Sequence, residues 1–520
     1  MQTQTVMRTS PKIFCILISL VLATGCSDDF LKIKNENELS SQNFWTNLPN
    51  FEFALNGSYD ALKCLDLYGQ NFYIQTLLAM PHESDYWNAQ NKNAVNSIDG
   101  NVYIAWRALY RIVARTNDIL DHAPGFIDTY KPVGNDLIRL NQIVAEAKFL
   151  RAYAYFTLVR LWGEKSFAED STALAVPLIL NLASTRAGAQ VPRASVGKIY
   201  NQVVKDFTDA SATLPASWDA ANIARANKFS AIGFLGQVHL YMQDYTDARD
   251  YFEQILGNAS YSLLPFSDYK DLFQGKHEFS SESLFEINYT VDMAQNIWEN
   301  GLGSGIALVI APPNRGWSNC TPHAVNVARF GTDPRLEIAM FAPTDSAADS
   351  EGKMKPVTKS TFNKTGHSFK KYNPVDYCVY QTNRNSGINF LLLRLADVYL
   401  MYAEAQNALG NDAVALEYTN KVRRRAFGLA PNTADPSVDL TGAGTVLRDK
   451  IREERFLELF AEGHRWFDIV RWKIVEQEVL KYNTDNVTQG LIVYTDKVYC
   501  YPVPQQEVDN NKTIIPSTGY

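Results

Sequence analysis

The stretch "GQVHLYMQDYTDARDYFEQIL", residues 236–256, decides how the chain is read. Gly236 and Ala248 stand twelve positions apart, and Phe252 follows Ala248 by one helical turn. Small residues at that spacing sit where the two helices of a hairpin cross, and an aromatic ring fills the groove between them. "MYAEAQNALGNDAVALEYTNKVRRRA", residues 401–426, repeats the pattern with Ala403 and Ala415, again twelve apart, around a Gly410-Asn411-Asp412 turn. Hairpins of this kind bury their apolar faces only by stacking on one another, so the pattern predicts a helical-repeat scaffold.

The spacing is that of tetratricopeptide repeats, and helical periodicity extends over much of the chain. "AWRALYRIVARTNDILDHA" (105–123) carries Trp106, Leu109, Ile112 and Val113 on one face. "LNQIVAEAKFLRAYAYFTLVRLWG" (140–163) does the same at greater length, with Ala145, Ala147, Ala152 and Ala154 allowing close helix approach and Gly163 as the expected C-cap. A third helix is expected over 195–215, capped by Ser195 and stopped by Pro215. Residues 260–390 read differently. A short strand is expected in "SLFEINY" (283–289), among Gly, Pro, Asn and Ser clusters such as "NGLGSG", "APPNRGWSN" and "GTDPR". The expected fold class is therefore mostly α, a tetratricopeptide-like scaffold with long loops and a few short strands.

Composition bounds the function. The 520 residues are 46% hydrophobic and 20% charged with net charge −7, and no long basic run is present, which argues against nucleic-acid binding. Aromatics reach 12%, with 9 Trp, 27 Tyr and 27 Phe, enough to furnish both a core and exposed stacking platforms. Cys64, Cys320, Cys378 and Cys500 show no metal-like spacing, so no metal site is expected; isolated thiols and disulfides both stay open.

The N-terminal stretch reads as an export signal. Arg8 and Lys12 precede an uncharged run, "IFCILISLVLATG" (13–25), too short to span a bilayer comfortably. Leu22-Ala23-Thr24-Gly25-Cys26 resembles a bacterial lipobox, in which the thiol of the invariant Cys takes a diacylglycerol. Residues 1–25 are thus expected to be a lipoprotein signal peptide and Cys26 the lipidated residue; several acyl chains anchor firmly where a single one binds only marginally. Asp28 and Asp29 resemble the acidic signal that sends lipoproteins of Bacteroidetes-type bacteria to the outer face of the outer membrane.

Several segments together resemble the SusD/RagB family: "AEAKFLRAYAYFTLVRLWG" (145–163), "ESLFEI" (282–287), "DPRL" (333–336), "LLLRLADVYLMYAEAQNALGN" (391–411), "IREERFLELFAEGHRWFDIVRW" (451–472) and "YPVPQQEVDNNKTIIPSTGY" (501–520). The resemblance implies an N-terminal SusD-like helical region over 26–265 and a C-terminal SusD/RagB region over 266–520, packed as one unit. It implies a surface lipoprotein of the outer membrane that captures oligosaccharide or polysaccharide and delivers it to a SusC-like TonB-dependent transporter, without catalysis, cofactor or metal. In the RagB-like branch the cargo is peptide. An exported carbohydrate hydrolase is a further alternative, because a chain with 56 acids always holds some carboxylate pair at glycosidase spacing.

The segment 451–472 has a reading of its own. Phe456, Leu459, Phe460, Gly463 and Phe467 fall on one helical face, and Glu454, Arg455, Glu458, Glu462 and Arg465 lie elsewhere. With one His, His464, and no paired-His spacing, a structural charged network is expected here rather than a metal or acid–base cluster. For a ligand, sugar chemistry asks for flat rings facing C–H surfaces and for amides, acids or guanidinium groups around the hydroxyls. Two polar loops meet that description. "MPHESDYWNAQNKN" (80–93) offers Tyr86 and Trp87 with Asp85 and Asn88; "NIWENGLGSG" (296–305) and "NRGWSN" (314–319) offer Trp298, Arg315 and Trp317.

Overall fold

A computed structural model of the chain describes residues 44–71, 82–84, 92, 94–291, 302–358, 365–483 and 494–520. Nine longer helices are labelled here: α1 (Leu48–Lys63), α2 (Gly100–Tyr130), α3 (Gly134–Trp162), α4 (Val196–Thr213), α5 (Lys228–Met242), α6 (Tyr245–Leu256), α7 (Leu395–Ala408), α8 (Asp412–Ala426) and α9 (Gly444–Glu458). Along the scaffold α2 packs on α3, α3 on α4, α4 on α5, α5 on α6, and α7 on both α8 and α9. Helix α6 packs directly on α7. The repeat stack therefore continues across the long excursion over 257–390, which leaves and re-enters it. Residues Phe51–Tyr520 form one compact unit.

The hairpin signature works as the spacing predicts. Asp244 caps α6 through a side chain that accepts from the Asp247 amide, and Gln243 turns the chain in the left-handed region. A β-carbon on Gly236 would stand 2.7 Å from Cδ1 and 2.9 Å from Cζ of Phe252, so only glycine lets the ring enter the crossing. Helix α5 is buried from Ser230 to Leu240, as a helix at the centre of a stack must be. Arg151 of α3 joins three helices, with the Nε–Nη2 edge of its guanidinium bidentate on Asp206 of α4 (2.8 and 2.9 Å) and Nη1 donating to Asn117 of α2 (2.9 Å). Ser195 caps α4 by accepting from the Lys198 amide, and α4 stops before Pro215. Gly163 does end α3, but in an extended rather than left-handed conformation; a β-carbon there would meet the Val159 carbonyl oxygen at 2.6 Å.

One expectation fails in an instructive way. The segment 451–472 is not one continuous helix. It stops at Glu458, turns through Ala461 and Gly463, both with positive φ, and restarts as Arg465–Arg471. The break sends Glu458 and Glu462 inward together, to meet cations from the excursion.

The strands are short and all pair antiparallel in two-stranded ribbons. β1 (His82–Ser84) pairs with β3 (Cys320–Pro322), and β2 (Ser283–Ile287) with β4 (Phe390–Arg394). The β2–β4 ribbon returns the excursion to the scaffold, with Arg394 leading straight into α7. Among the described residues the four cysteines form no disulfide with one another.

Candidate ligand-binding site

The β1–β3 ribbon joins the segment that runs into 85–88 to the segment that follows Trp317. Its register pairs His82 with Pro322, Glu83 with Thr321 and Ser84 with Cys320. The chain therefore leaves β1 at the same end of the ribbon at which it enters β3. Trp317 stands three positions before Cys320, at that end, and is 39% exposed.

The loop that presents Trp317 is tightly held. The short helix Ile306–Ile310 is wholly buried, and the chain folds back along it: the Trp317 amide donates to Leu308 O (2.7 Å) and the Asn319 amide to Val309 O (2.9 Å). Gly316 permits this close return, because a β-carbon there would meet Leu308 O at 2.5 Å and Ala311 Cβ at 2.7 Å. A turn from Pro312, whose carbonyl accepts from the amides of Arg315 and Gly316, completes the loop. The backbone that carries the Trp317 ring is thereby fixed.

Arg315, a candidate for ligand contact by sequence, is instead committed to the protein's own backbone. It is 1% exposed, and its guanidinium donates to the carbonyls of Ala348, Pro374 and Tyr377, the last at 3.0 Å. Burial pulls its pKa down from the ordinary arginine value. The Cys378 thiol closes the same junction by donating to Arg315 O at 3.2 Å. A cation placed to gather three carbonyls fixes the geometry of converging loops; that is positioning, not recognition. Asp85, Tyr86, Trp87, Asn88 and Trp298 lie outside the described residues, as does Cys26.

Behind the loops lies the charged network. Arg394 donates to Glu282 (2.8 Å), Glu458 (2.7 Å) and Glu462 (2.8 Å); Arg425 reaches Glu282 (2.8 Å) and Glu458 (2.5 Å). Lys371 reaches Glu462 (2.7 Å), and Arg335 reaches Glu454 (2.8 Å) and Glu458 (3.1 Å). All these side chains are at most 2% exposed. Burial alone would raise the Glu458 carboxyl, but Arg425, Arg394 and Arg335 overcome it and hold that group well below the ordinary carboxylate range. Buried charges survive only when paired. Here the pairs join the excursion, through Glu282, Arg335 and Lys371, to α8, α9 and the turn after α9. Glu458 and Glu462 are thus consumed in structure, with cations on every side. His464 is half-buried, 3.9 Å from Asp397, and desolvation lowers its pKa. His323 serves as the N-cap of Ala324–Phe330, its Nδ1 accepting from the Val325 amide at 3.2 Å.

Two family models match the chain in succession. Residues 281–520 match that of the SusD family, and residues 29–240 match one described as starch-binding, associating with the outer membrane. The chain belongs to the SusD family. A SusD-like protein, P25, from Formosa agariphila is 25% identical over 548 residues, covering 97% of this chain and 98% of that one. A crystal structure of a SusD homologue from Bacteroides thetaiotaomicron superposes with TM-score 0.77 at 22% identity, covering 94% of this chain and all of that one. A laminarin-binding SusD-like protein gives 0.70 at 23% identity over 91% and 99%. The SusD fold is accordingly the fold of this chain, and the repeat scaffold expected from 236–256 and 401–426 is its core.

Sequence reasoning brought Trp317 forward correctly as an exposed ring in a polar loop. It missed the pairing that joins β1 to β3, because three-residue strands carry too little pattern to reveal a partner more than two hundred positions away. It also read Arg315 as solvent-facing. The loop composition around it, rich in Pro, Gly and Asn, gave no sign that three carbonyls converge there.

Proposed function

We propose that this SusD-family chain is a cell-surface lipoprotein that binds glycan and hands it to a TonB-dependent, SusC-like transporter, with Cys26 as its lipid anchor. The observation that carries the glycan reading is the β1–β3 ribbon with Trp317 at its open end. Asp85, Tyr86, Trp87 and Asn88 follow Ser84 directly in the sequence. Rings with acid and amide neighbours suit the C–H faces and hydroxyls of a sugar. One stacked ring contributes on the order of 1 kcal/mol, so several must act together. The starch-binding description of the N-terminal family model and the laminarin-binding neighbour support the same ligand class. Catalysis has no part in the reading.

The test is binding of the purified chain to a glycan array, followed by calorimetry with the best ligand. Glycan binding that weakens in Trp317→Ala and in Trp87→Ala is the expected result. Peptide binding with a silent glycan array would overturn it in favour of a peptide-capturing receptor, and new reducing ends from polysaccharide would overturn it in favour of a hydrolase. For the anchor, Cys26→Ser should move the protein from the outer-membrane fraction to the soluble fraction of cells.

A further inference from the structure

Away from the ribbon, a cleft of about 620 Å³ opens between the α4–α5 connection, the turn after α6 and strand β2. Its volume falls within the range of small-ligand sites. A second cleft of about 610 Å³ adjoins it, and the two share Ala224, Arg225, Phe285 and Glu286 as a common wall. No residue of β1, β3 or the Trp317 loop lines either one.

The lining of the first cleft combines rings with uncommitted polar groups. Phe229 and Tyr261 meet edge to face at 5.6 Å, and Phe279 faces the same space. Ser280 Oγ is buried and bonds to nothing among the described residues, and Ser217, Asn258 and Ser260 add hydroxyl and amide groups at the rim. Asn258 uses only its oxygen within the protein, accepting from the Ser260 amide at 3.0 Å. Among the described residues the charged lining groups are Arg225 and Glu286. Arg225 is held by Glu52, Asn56 and Glu146 at 3.2 Å each and by Asn222 at 2.9 Å. Glu286 accepts from the Phe279 amide, and burial raises its pKa to about 7.

We propose that this cleft is a second, independent carbohydrate subsite that takes a short stretch of a neutral glycan. The argument rests on the glycan reading of the protein and extends it to a second place on the chain. Rings with unassigned hydroxyls and amides fit sugar faces and sugar hydroxyls. Both charged groups are spent on the protein, so a sulfate or uronate finds no free cation there. Two separated subsites would hold one long polysaccharide with an avidity that neither reaches alone.

Hydrogen–deuterium exchange on the mature full chain tests this with maltoheptaose, laminariheptaose, xyloheptaose and mannoheptaose as probes. Protection by one of them is expected both in 257–261 with 280–286 and in 317–322. Tyr261→Ala should weaken the first, with affinity at that subsite falling about fivefold, and leave the second intact. Asn258→Ala, at a rim position with little packing to lose, should weaken the first without touching the fold. Protection in 317–322 alone overturns the second subsite and keeps the proposed function. Protection in 257–286 alone keeps the subsite and overturns the ribbon site. Protection in neither region overturns both.

Discussion

The crossing of α5 and α6 offers the sharpest test of how the scaffold is built. In Gly236→Ala, the new β-carbon meets three atoms of the Phe252 ring, two of them at 2.7 and 2.9 Å, well inside ordinary carbon contact. Phe252 is 0% exposed, so the ring has no open space to move into. Overpacking of this kind costs about 1–3 kcal/mol, and the absence of slack puts Gly236→Ala near the top of that range. Replacing a mid-helix glycine by alanine returns about 1 kcal/mol through helix propensity. The net expectation is destabilisation by about 2 kcal/mol, read from equilibrium urea denaturation followed by circular dichroism. Phe252→Leu alone loses buried area. In the Gly236→Ala/Phe252→Leu double variant the smaller side chain makes room, so the pair should cost at least about 1 kcal/mol less than the two singles added together. A Gly236→Ala protein as stable as the parent, or strict additivity in the pair, would refute the idea that the ring's entry into the crossing requires glycine.

Arg394→Met should destabilise the chain by about 3–5 kcal/mol in the same assay, because Glu282, Glu458 and Glu462 lose a shared cation inside the protein. The acids run opposite ways with pH. Burial alone would raise Asp468 and Glu478, but Arg455 with Arg471, and Arg465 with Arg329, hold both at about 2. Their contribution is complete above the ordinary carboxylate values and is lost as pH falls toward 2, so melting temperature should drop steeply over that window. Glu286, raised by burial from 4.5 to about 7, contributes fully below pH 4.5 and progressively less as pH rises through 7. Glu286→Gln, which keeps an acceptor for Phe279, should add about 3 kcal/mol at pH 8 and almost nothing at pH 4.5. Trp317→Ala should weaken glycan binding in calorimetry while the far-UV circular dichroism spectrum stays that of the folded chain.

The helical scaffold was legible because helices declare themselves locally. The small-residue pairs Gly236/Ala248 and Ala403/Ala415 point to the hairpins through contacts only one turn of chain apart. The strand expected over 283–289 appears as Ser283–Ile287. The break at Ala461 and Gly463 was hidden, because the apolar pattern of 456–467 runs on through it, while the cations that meet Glu458 and Glu462 there, Arg394, Arg425 and Lys371, come from other segments. The candidate site was legible in its chemistry but not in its assembly. A tryptophan among polar residues marks itself; the carbonyls that claim Arg315, and the wall of Phe285 and Glu286 between two clefts, come from segments far apart in the chain.

The segment 501–518 threads back onto the first half of the protein. Trp162 donates to Pro502 O at 2.9 Å, Asn511 to Val191 O at 2.8 Å, Arg193 to Ile515 O at 3.1 Å and Thr518 to Glu164 at 2.8 Å. The end of α3 and the 190s loop therefore stay unfinished until a segment more than three hundred positions later has been synthesised. A chain that stopped short of this latch would leave the Trp162 indole N–H without its acceptor and Arg193 without two of its carbonyls, though Ala175 and Glu164 would still hold that guanidinium. Closure of that end of α3 therefore waits on residues 501–518.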